Sequence, residues 1–162
     1  MKSGRVLAAL ALGAAALLPA ACGGGAEEQA ATANPDAPEG ISVSNARMML
    51  PPVSGNPAAI YFDLANASER AMTIRGASVQ GAGSAMLHTS AEYNFETVMQ
   101  EVFQQPVPAG EAISFEPGGL HVMANDLADT LSPGGQTEVT LTFAGGDKIS
   151  FPAEIRAAGE ER

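Results

Sequence analysis

The chain has 162 residues, with 8 Lys and Arg against 18 Asp and Glu, so its formal net charge is −10. This length is enough for one domain with a hydrophobic core and too short for two. A surface this acidic is repelled by phosphate backbones and anionic lipid head groups, which excludes nucleic-acid binding. The single cysteine, Cys22, excludes a disulfide scaffold and a zinc site built from several cysteines.

The first 22 residues have the pattern of an export signal. Lys2 and Arg5 form a basic start, and an uncharged apolar run of 13 residues follows from Val6 to Leu18. That run is too short to span a bilayer, which takes about 20 residues. We therefore predict that residues 1–22 are a signal peptide. Their removal leaves 6 Lys and Arg against 18 Asp and Glu, a net charge of −12.

Cys22 stands where a bacterial lipoprotein signal places its acylated residue. The small residues Ala20 and Ala21 precede it, although Pro19 occupies a position where such signals usually carry Leu. We predict that Cys22 is lipidated and anchors the protein without spanning the membrane. The alternative is ordinary cleavage near Ala21 that leaves a free thiol. In both cases the mature protein leaves the cytoplasm, and we expect it in the bacterial periplasm.

Composition divides the rest of the chain into three parts. Residues 23–40 are rich in Gly, Ala, Glu and Pro without apolar periodicity, which predicts a flexible tether. We expect one domain over residues 41–157, where apolar residues alternate with polar ones, and a polar tail at 158–162. The alternation is clearest in four segments: Ile60–Leu64, Met72–Ile74, Val139–Phe143 and Ile149–Ile155.

The alternation predicts the fold class. It places one row of side chains in a core and the other in water, which is typical of half-buried antiparallel strands. Turn-forming residues separate these segments at Pro108–Gly110, Pro117–Gly119, Ser132–Gly135 and Gly145–Asp147. Pro152 cannot donate a hydrogen bond to a sheet, so we expect the last strand to lie at an edge. We predict an all-β domain, a β-sandwich or small barrel of antiparallel strands.

Only two histidines occur in the chain, and each can be matched with a methionine. His121 and Met123 are two residues apart, so in a strand their side chains project from the same face. His88 and Met99 have ten residues between them, a spacing that fits a strand, a turn and a returning strand. We therefore expect these two residues to meet across a hairpin.

Two imidazoles and two thioethers form a neutral set of soft donors. Such a set favours Cu(I) over hard cations, which bind carboxylates and carbonyls, and over zinc, which prefers thiolates or further histidines. A thioether also cannot form a disulfide in an oxidising compartment. The alternative is that each methionine packs in the core and that each histidine is an ordinary surface or hydrogen-bonded residue.

The spacing of these residues resembles the signature of the PCu(A)C family of periplasmic copper chaperones. The pattern reads His88, ten residues, Met99, twenty-one residues, then His121-Val122-Met123. The flanking segments that share the resemblance are Pro57–Phe62, Pro108–Gly110, Pro117–Met123 and Thr140–Phe143. It covers residues 41 to 157 and therefore the whole predicted domain.

The resemblance implies a cupredoxin-like or immunoglobulin-like β fold that binds one Cu(I) through His88, Met99, His121 and Met123. The implied task is supply of copper toward the dinuclear copper centre of cytochrome c oxidase. A copper-accepting oxidase subunit is the implied recipient, and a thioredoxin-like copper protein often takes part. Members often carry a second methionine directly after the first histidine, and Met86 is left open as its substitute here.

Three other functions were compared with copper delivery. Copper storage or resistance would use the same site and stays an alternative. A β-sandwich binding module without a metal would leave the methionines packed inside and would have no copper affinity. An enzyme would need a nucleophile, a base and an orienting acid. His88-Thr89-Ser90 and His121 with Asp126 match no recognised catalytic motif, so we predict no catalytic residues and no enzymatic activity.

Overall fold

The computed structural model describes residues 37–93 and 96–160. The predicted signal peptide at 1–22 with Cys22, residues 23–36 of the predicted tether, and the last two residues of the tail lie outside the described residues. Within the described ranges all regular secondary structure is β-strand, which confirms the predicted all-β class. No helix in this part of the chain is long and apolar enough to cross a membrane.

Ten strands form one sheet in the described part of the chain. The predicted turns separate the later strands, and the four segments with the clearest alternation all lie within strands. The strands are β1 (Ile41–Met49), β2 (Ala58–Asn66), β3 (Met72–Val79), β4 (Ala82–Tyr93), β5 (Glu96–Glu101), β6 (Gln105–Val107), β7 (Ala112–Phe115), β8 (Leu120–Leu127), β9 (Gln136–Phe143) and β10 (Lys148–Arg156).

The sheet is open and mixed. Its strands hydrogen-bond in the order β5-β4-β8-β2-β1-β10-β9-β3-β6, and β7 pairs with β2 off this path. The ladders are antiparallel except for β1 with β10, which run parallel where Arg47–Met49 meets Glu154–Arg156. The prediction of antiparallel strands is therefore correct for every ladder of the described residues but this one.

The predicted alternation accounts for the core. In β2 the side chains of every second residue from Ala58 to Asn66 are buried, and those between them are partly exposed. Phe62 of β2 stacks on Phe115 of β7 with ring centroids 4.0 Å apart, and it contacts Phe151 of β10 at 5.1 Å. The inward rows of distant strands thus enclose a single core, and the outward rows remain available for binding.

The position of the last strand differs from the prediction. β10 lies between β1 and β9, so the expectation that Pro152 marks an edge strand is wrong. β1 pairs with β10 only over Glu154–Arg156, and Pro152 precedes that pairing. Because β1 does not pair with β10 at Pro152, the lack of an N–H there costs no hydrogen bond to β1. On the other side, β9 pairs with β10 along Lys148–Glu154.

Candidate metal centre

Strand β8 presents His121 and Met123 on its outward face. A turn over Glu116–Gly119, closed by an N–H···O hydrogen bond of 3.0 Å between its end residues, leads into the strand. Gly118 has a φ of +79° in this turn, a conformation that glycine adopts without a steric cost. Val122 is buried in the core. Because successive strand residues point to opposite faces, His121 and Met123 project together from the other side.

Strand β4 lies beside β8 and places the second histidine directly opposite the first. The antiparallel register pairs His88 with His121 and, on the inward face, Leu87 with Val122. The centroids of the two imidazole rings are 6.0 Å apart, and the ring planes are inclined by 36°. Residues that are directly opposite share a face of the sheet. The two rings therefore lie side by side on the outward face.

His121 is held in one orientation by the turn that precedes it. The residue is 5% exposed, and its Nδ1 lies 3.0 Å from the carbonyl oxygen of Gly119. Because a carbonyl can only accept a hydrogen bond, Nδ1 is the donor in this contact. The lone pair of Nε2 is then available to a ligand, and a backbone contact of this kind commonly orients a metal-binding imidazole.

The environment of the His88 ring differs from that of His121. Both ring nitrogens are buried, and neither has a partner among the described residues. An unsatisfied buried donor or acceptor costs about 1–3 kcal/mol, so native structures contain few of them. A metal ion would supply the missing partner for one nitrogen. The ring is therefore suited to coordination rather than to a purely structural role.

Met99 reaches the same face from the neighbouring strand. β5 pairs antiparallel with β4, as the predicted hairpin requires, with Met99 opposite Ser90 and Glu101 opposite His88. Met99 is thus a diagonal neighbour of His88, at a separation that long side chains can bridge. Its side chain is 61% exposed, because β5 is an edge strand with β4 as its only partner in the described part of the sheet.

Two outward-facing residues near the histidines were not among the predicted ligands or their expected neighbours. Tyr61 of β2 lies beside His121 with ring centroids 6.3 Å apart, and the guanidinium of Arg47 in β1 lies 5.1 Å from the centre of the Tyr61 ring. The alternation in β2 predicts that Tyr61 faces outward. Nothing in the sequence shows that β8 lies next to it.

A third outward-facing residue is Met86, which the sequence left open. It precedes His88 by two residues on β4, and the register pairs it with Met123 of β8. Its side chain is 37% exposed. The spacing of two residues predicts that Met86 and His88 share a face, whereas the pairing with Met123 depends on the register of two strands that are distant in sequence.

The donors proposed for a metal on this face are imidazoles and thioethers, although Glu101 of β5, opposite His88, lies on the same face. Within residues 37–93 and 96–160, no group of three or more His, Cys, Asp or Glu side chains lies close enough to hold a metal ion. Methionine sulfur can complete a metal site at the two histidines, because Met123 shares the outward face of β8 with His121. Such a donor set suits a soft monovalent ion and serves zinc, calcium or magnesium poorly.

Comparison of the sequence with known proteins identifies a family of lipoproteins. The family model described as "Putative lipoprotein LpqE-like" matches residues 41–155. A protein of Leifsonia xyli subsp. xyli, "Putative lipoprotein Lxx21020", is 30% identical over 119 residues, which cover 73% of this chain and 70% of the relative. Both descriptions name lipoproteins, in agreement with the predicted lipoprotein type of export signal.

Solved structures show the same fold. The copper-bound PCuAC domain from PmoF2 matches with a TM-score of 0.60 and 20% identity, covering 80% of this chain and 97% of that domain. The solution structure of CuI-DR1885 from Deinococcus radiodurans matches with a TM-score of 0.56 and 25% identity, covering 89% of this chain and 90% of that one. The predicted cupredoxin-like fold and the predicted relation to PCu(A)C proteins are confirmed. The chain belongs to the LpqE-like family, which is of the PCu(A)C type.

Proposed function

We propose that this protein is an exported copper chaperone that binds one Cu(I) ion and passes it to an acceptor protein. The proposed ligands are His88 and His121, whose rings lie side by side, together with the thioethers of Met99 and Met123. The protein acts by binding and release, and no catalytic residue is assigned. Copper is its cargo and is released from the site without chemical change.

The observation that carries this proposal is the environment of the histidine pair. Two imidazole rings lie 6.0 Å apart, and both nitrogens of His88 are buried without a hydrogen-bond partner among the described residues. His121 is oriented by the Gly119 carbonyl so that Nε2 is available. A metal ion between the two rings would satisfy one nitrogen of each, which no other described group does for His88.

The chemistry of the donors supports Cu(I) in particular. Neutral thioethers and imidazoles are soft or intermediate ligands, and thioethers favour Cu(I) over hard cations. The four proposed ligands carry no formal charge when the imidazoles are neutral, so the loaded site has a charge of +1. The named solved structures include a copper-bound PCuAC domain and a CuI form of DR1885, which supports the same metal here.

The position of Met99 supports release to a partner. Its side chain is 61% exposed on the edge strand β5, so the copper site would be open to an approaching protein from that side. Thioethers bind more weakly than thiolates, which suits a site that must give up its metal. We propose the bacterial periplasm as the location, with lipidated Cys22 as the anchor.

The proposed recipient is the copper-accepting subunit of cytochrome c oxidase, where the dinuclear copper centre is assembled. A thioredoxin-like copper protein would act beside it. This part of the proposal rests on the resemblance to PCu(A)C chaperones. Copper storage would use the same ligands, so only a transfer experiment distinguishes storage from delivery.

The binding test is an anaerobic titration of the purified protein with Cu(I) against a chromogenic chelator. We expect one tight equivalent, weakened by His121→Ala and by Met99→Leu at least about tenfold, because loss of a group that only orients a metal ligand already costs that much. The matched control is Met72→Leu, because Met72 packs against the core and should leave affinity unchanged. An affinity that is indifferent to both ligand variants would refute the proposed site.

The transfer test mixes the copper-loaded protein with a soluble copper-free domain that carries the oxidase dinuclear site. The two proteins are then separated and their copper contents measured. Delivery predicts that copper appears on the oxidase domain. Retention of all copper by this protein would contradict delivery and favour storage.

A further inference from the structure

Large apolar side chains are exposed on and directly after strand β5. Met99 is 61% exposed, and Phe103, two residues beyond the end of the strand, is 73% exposed. The N–H of Val102 donates to the carbonyl of Leu87 at 2.8 Å, so the chain still follows β4 at that point. Because Val102 packs against the core, alternation places Phe103 on the outward side with Met99. Apolar side chains grouped in this way on a surface are typical of a protein-binding site.

The strands around the proposed copper site carry acidic residues and no cations. In sheet order the first four strands are β5, β4, β8 and β2. Their sequences, which lie within the described residues, contain five Asp and Glu and no Lys or Arg. Glu96 and Glu101 of β5 are both exposed. This end of the sheet therefore has a negative potential, which attracts cationic surfaces and repels anionic ones.

The charges limit what can cover β5. A second copy of the chain would bring the same acidic residues together, and an anionic membrane is repelled for the same reason. The predicted tether is not complementary, since residues 23–40 contain four Asp and Glu and no Lys or Arg. A protein with Lys and Arg on its docking face is complementary in charge, and an apolar recess on that face would receive Phe103.

We infer that the β5 edge, formed by Glu96, Met99, Glu101 and Phe103, is the docking surface for a copper acceptor whose own docking face is basic. This inference rests on the proposed function and names the kind of partner that its site serves. The acidic residues attract and orient the acceptor, and Phe103 is buried in the contact and slows its dissociation. Because Met99 lies between Glu96 and Glu101 on the strand, the docked acceptor is next to a proposed copper ligand.

The test uses two synthetic acceptor peptides that bind Cu(I) through cysteine. Each contains Cys-Xaa-Xaa-Cys next to Leu, flanked by Lys in one peptide and by Glu in the other. On transfer, Cu(I) exchanges its bonds to this protein for bonds to the two cysteine sulfurs. The thiol protons pass to the buffer, and no electron is transferred. The second-order rate of transfer from the copper-loaded protein is measured for each peptide without oxygen.

Wild type should transfer copper faster to the Lys peptide, and added NaCl should reduce this preference because salt screens the charges. Glu96→Lys/Glu101→Gln should lower the ratio of the two rates about tenfold, the low end of the range for electrostatic steering. The matched control, Glu69→Lys/Glu138→Gln, makes the same change in net charge at exposed residues away from β5 and should lower the ratio much less. Comparing ratios between variants cancels the intrinsic reactivity of each peptide.

Phe103→Ser tests the apolar part of the docking surface. It should slow transfer to both peptides at least about fivefold, the effect of truncating an interface residue that contributes to binding, and should leave their ratio unchanged. The chelator titration and urea unfolding check that each variant binds Cu(I) and folds. If the double variant at β5 binds no Cu(I), Glu96→Lys alone is compared with Glu69→Lys.

The outcomes separate this inference from the proposed function. If wild type binds no Cu(I), the proposed function fails and this inference fails with it. If Cu(I) is transferred but the β5 variant and its control lower the ratio equally, net charge alone attracts the acceptor, and only the docking surface is refuted. Unchanged rates in Phe103→Ser refute the apolar anchor. A dimer in sedimentation that Phe103→Ser abolishes would assign the β5 edge to a second copy and overturn the inference.

Discussion

Two sets of polar atoms are withdrawn from solvent, the side-chain amide of Asn66 at the end of β2 and the ring nitrogens of His88 in β4. They differ in how their hydrogen-bonding capacity is satisfied. Asn66 is 1% exposed, and its Oδ1 accepts hydrogen bonds from the N–H and hydroxyl of Ser68 at 3.1 and 2.6 Å. Its amide donates at 2.8 to 3.1 Å to the carbonyls of Arg70, Val107 and Pro108. Both ring nitrogens of His88 lack any such partner in the described part of the chain.

This difference distinguishes a structural polar group from a binding one. The hydrogen bonds of Asn66 tie the end of β2 to two turns, so their free energy contributes to folding. The nitrogens of His88 lower the stability of the metal-free protein, because they are removed from water without replacement partners. That cost is recovered only when a ligand binds. We therefore expect substitutions in the two regions to have opposite effects on folding.

The largest effect on stability is expected beside His88 but on the other face of β4. Leu87 is 3% exposed and belongs to the core, so Leu87→Ala should lower the free energy of unfolding by about 2–5 kcal/mol. Urea denaturation measures this change. The folded variant should keep a copper affinity near that of wild type. A loss of affinity as large as that of a histidine variant would show that the two faces of β4 are not independent.

His88→Leu should change binding and stability in opposite directions. We expect the Cu(I) affinity to fall at least about a hundredfold, because loss of a group that only orients a metal ligand already costs up to that much. The free energy of unfolding of the metal-free protein should rise by about 1 kcal/mol, because two unsatisfied buried nitrogens are removed. Chelator competition and urea denaturation measure the two quantities. A metal-free variant less stable than wild type would show that His88 supports the fold.

Asn66→Ala should give the reverse result. The substitution leaves buried carbonyls without their donor, so the free energy of unfolding should fall by about 2 kcal/mol. The Cu(I) affinity should not change, because Asn66 lies near the β6–β7 turn and away from the histidines. Denaturation of the metal-free protein and a Cu(I) titration make the comparison. Unchanged stability would mean that these hydrogen bonds contribute nothing net.

Ser68→Ala is the smallest of these changes. It removes the hydroxyl that donates to Asn66 Oδ1 at 2.6 Å but leaves the backbone N–H of residue 68 as a second donor. We expect a loss of about 0.5–1 kcal/mol in the free energy of unfolding. The difference is measurable as a shift in the denaturation midpoint. A loss equal to that of Asn66→Ala would place most of the stabilisation in this one contact.

Much of the fold could be predicted because strand periodicity is a local property of the chain. The alternation at Ile60–Leu64 and Val139–Phe143 appears unchanged in the burial of β2 and β9. The turn over Pro117–Gly119 correctly places the start of β8. The position of β10 was not predictable in this way. Pro152 is compatible with an inner strand only because β1 joins β10 two residues later.

The candidate site was predictable to a smaller extent. The spacing of His121 and Met123 predicts a shared face, and the spacing of His88 and Met99 predicts a hairpin; both arrangements are present. The opposition of His88 and His121 was not visible, because it depends on β4 and β8 becoming neighbours. The pairing of Met86 with Met123 depends on the same register.

The sequence by itself determined the all-β class, the turns and the supply of soft donors, because these follow from residue types and from their spacing along the chain. Only the tertiary structure decided which strands are neighbours, which nitrogens lose their contact with water and which methionines are excluded from the core. The physical reason is that strand pairing depends on how inward-facing side chains from distant segments fit together. Here, the packing of Ile60, Leu87 and Val122 on the inward side places the two histidines together on the outward side.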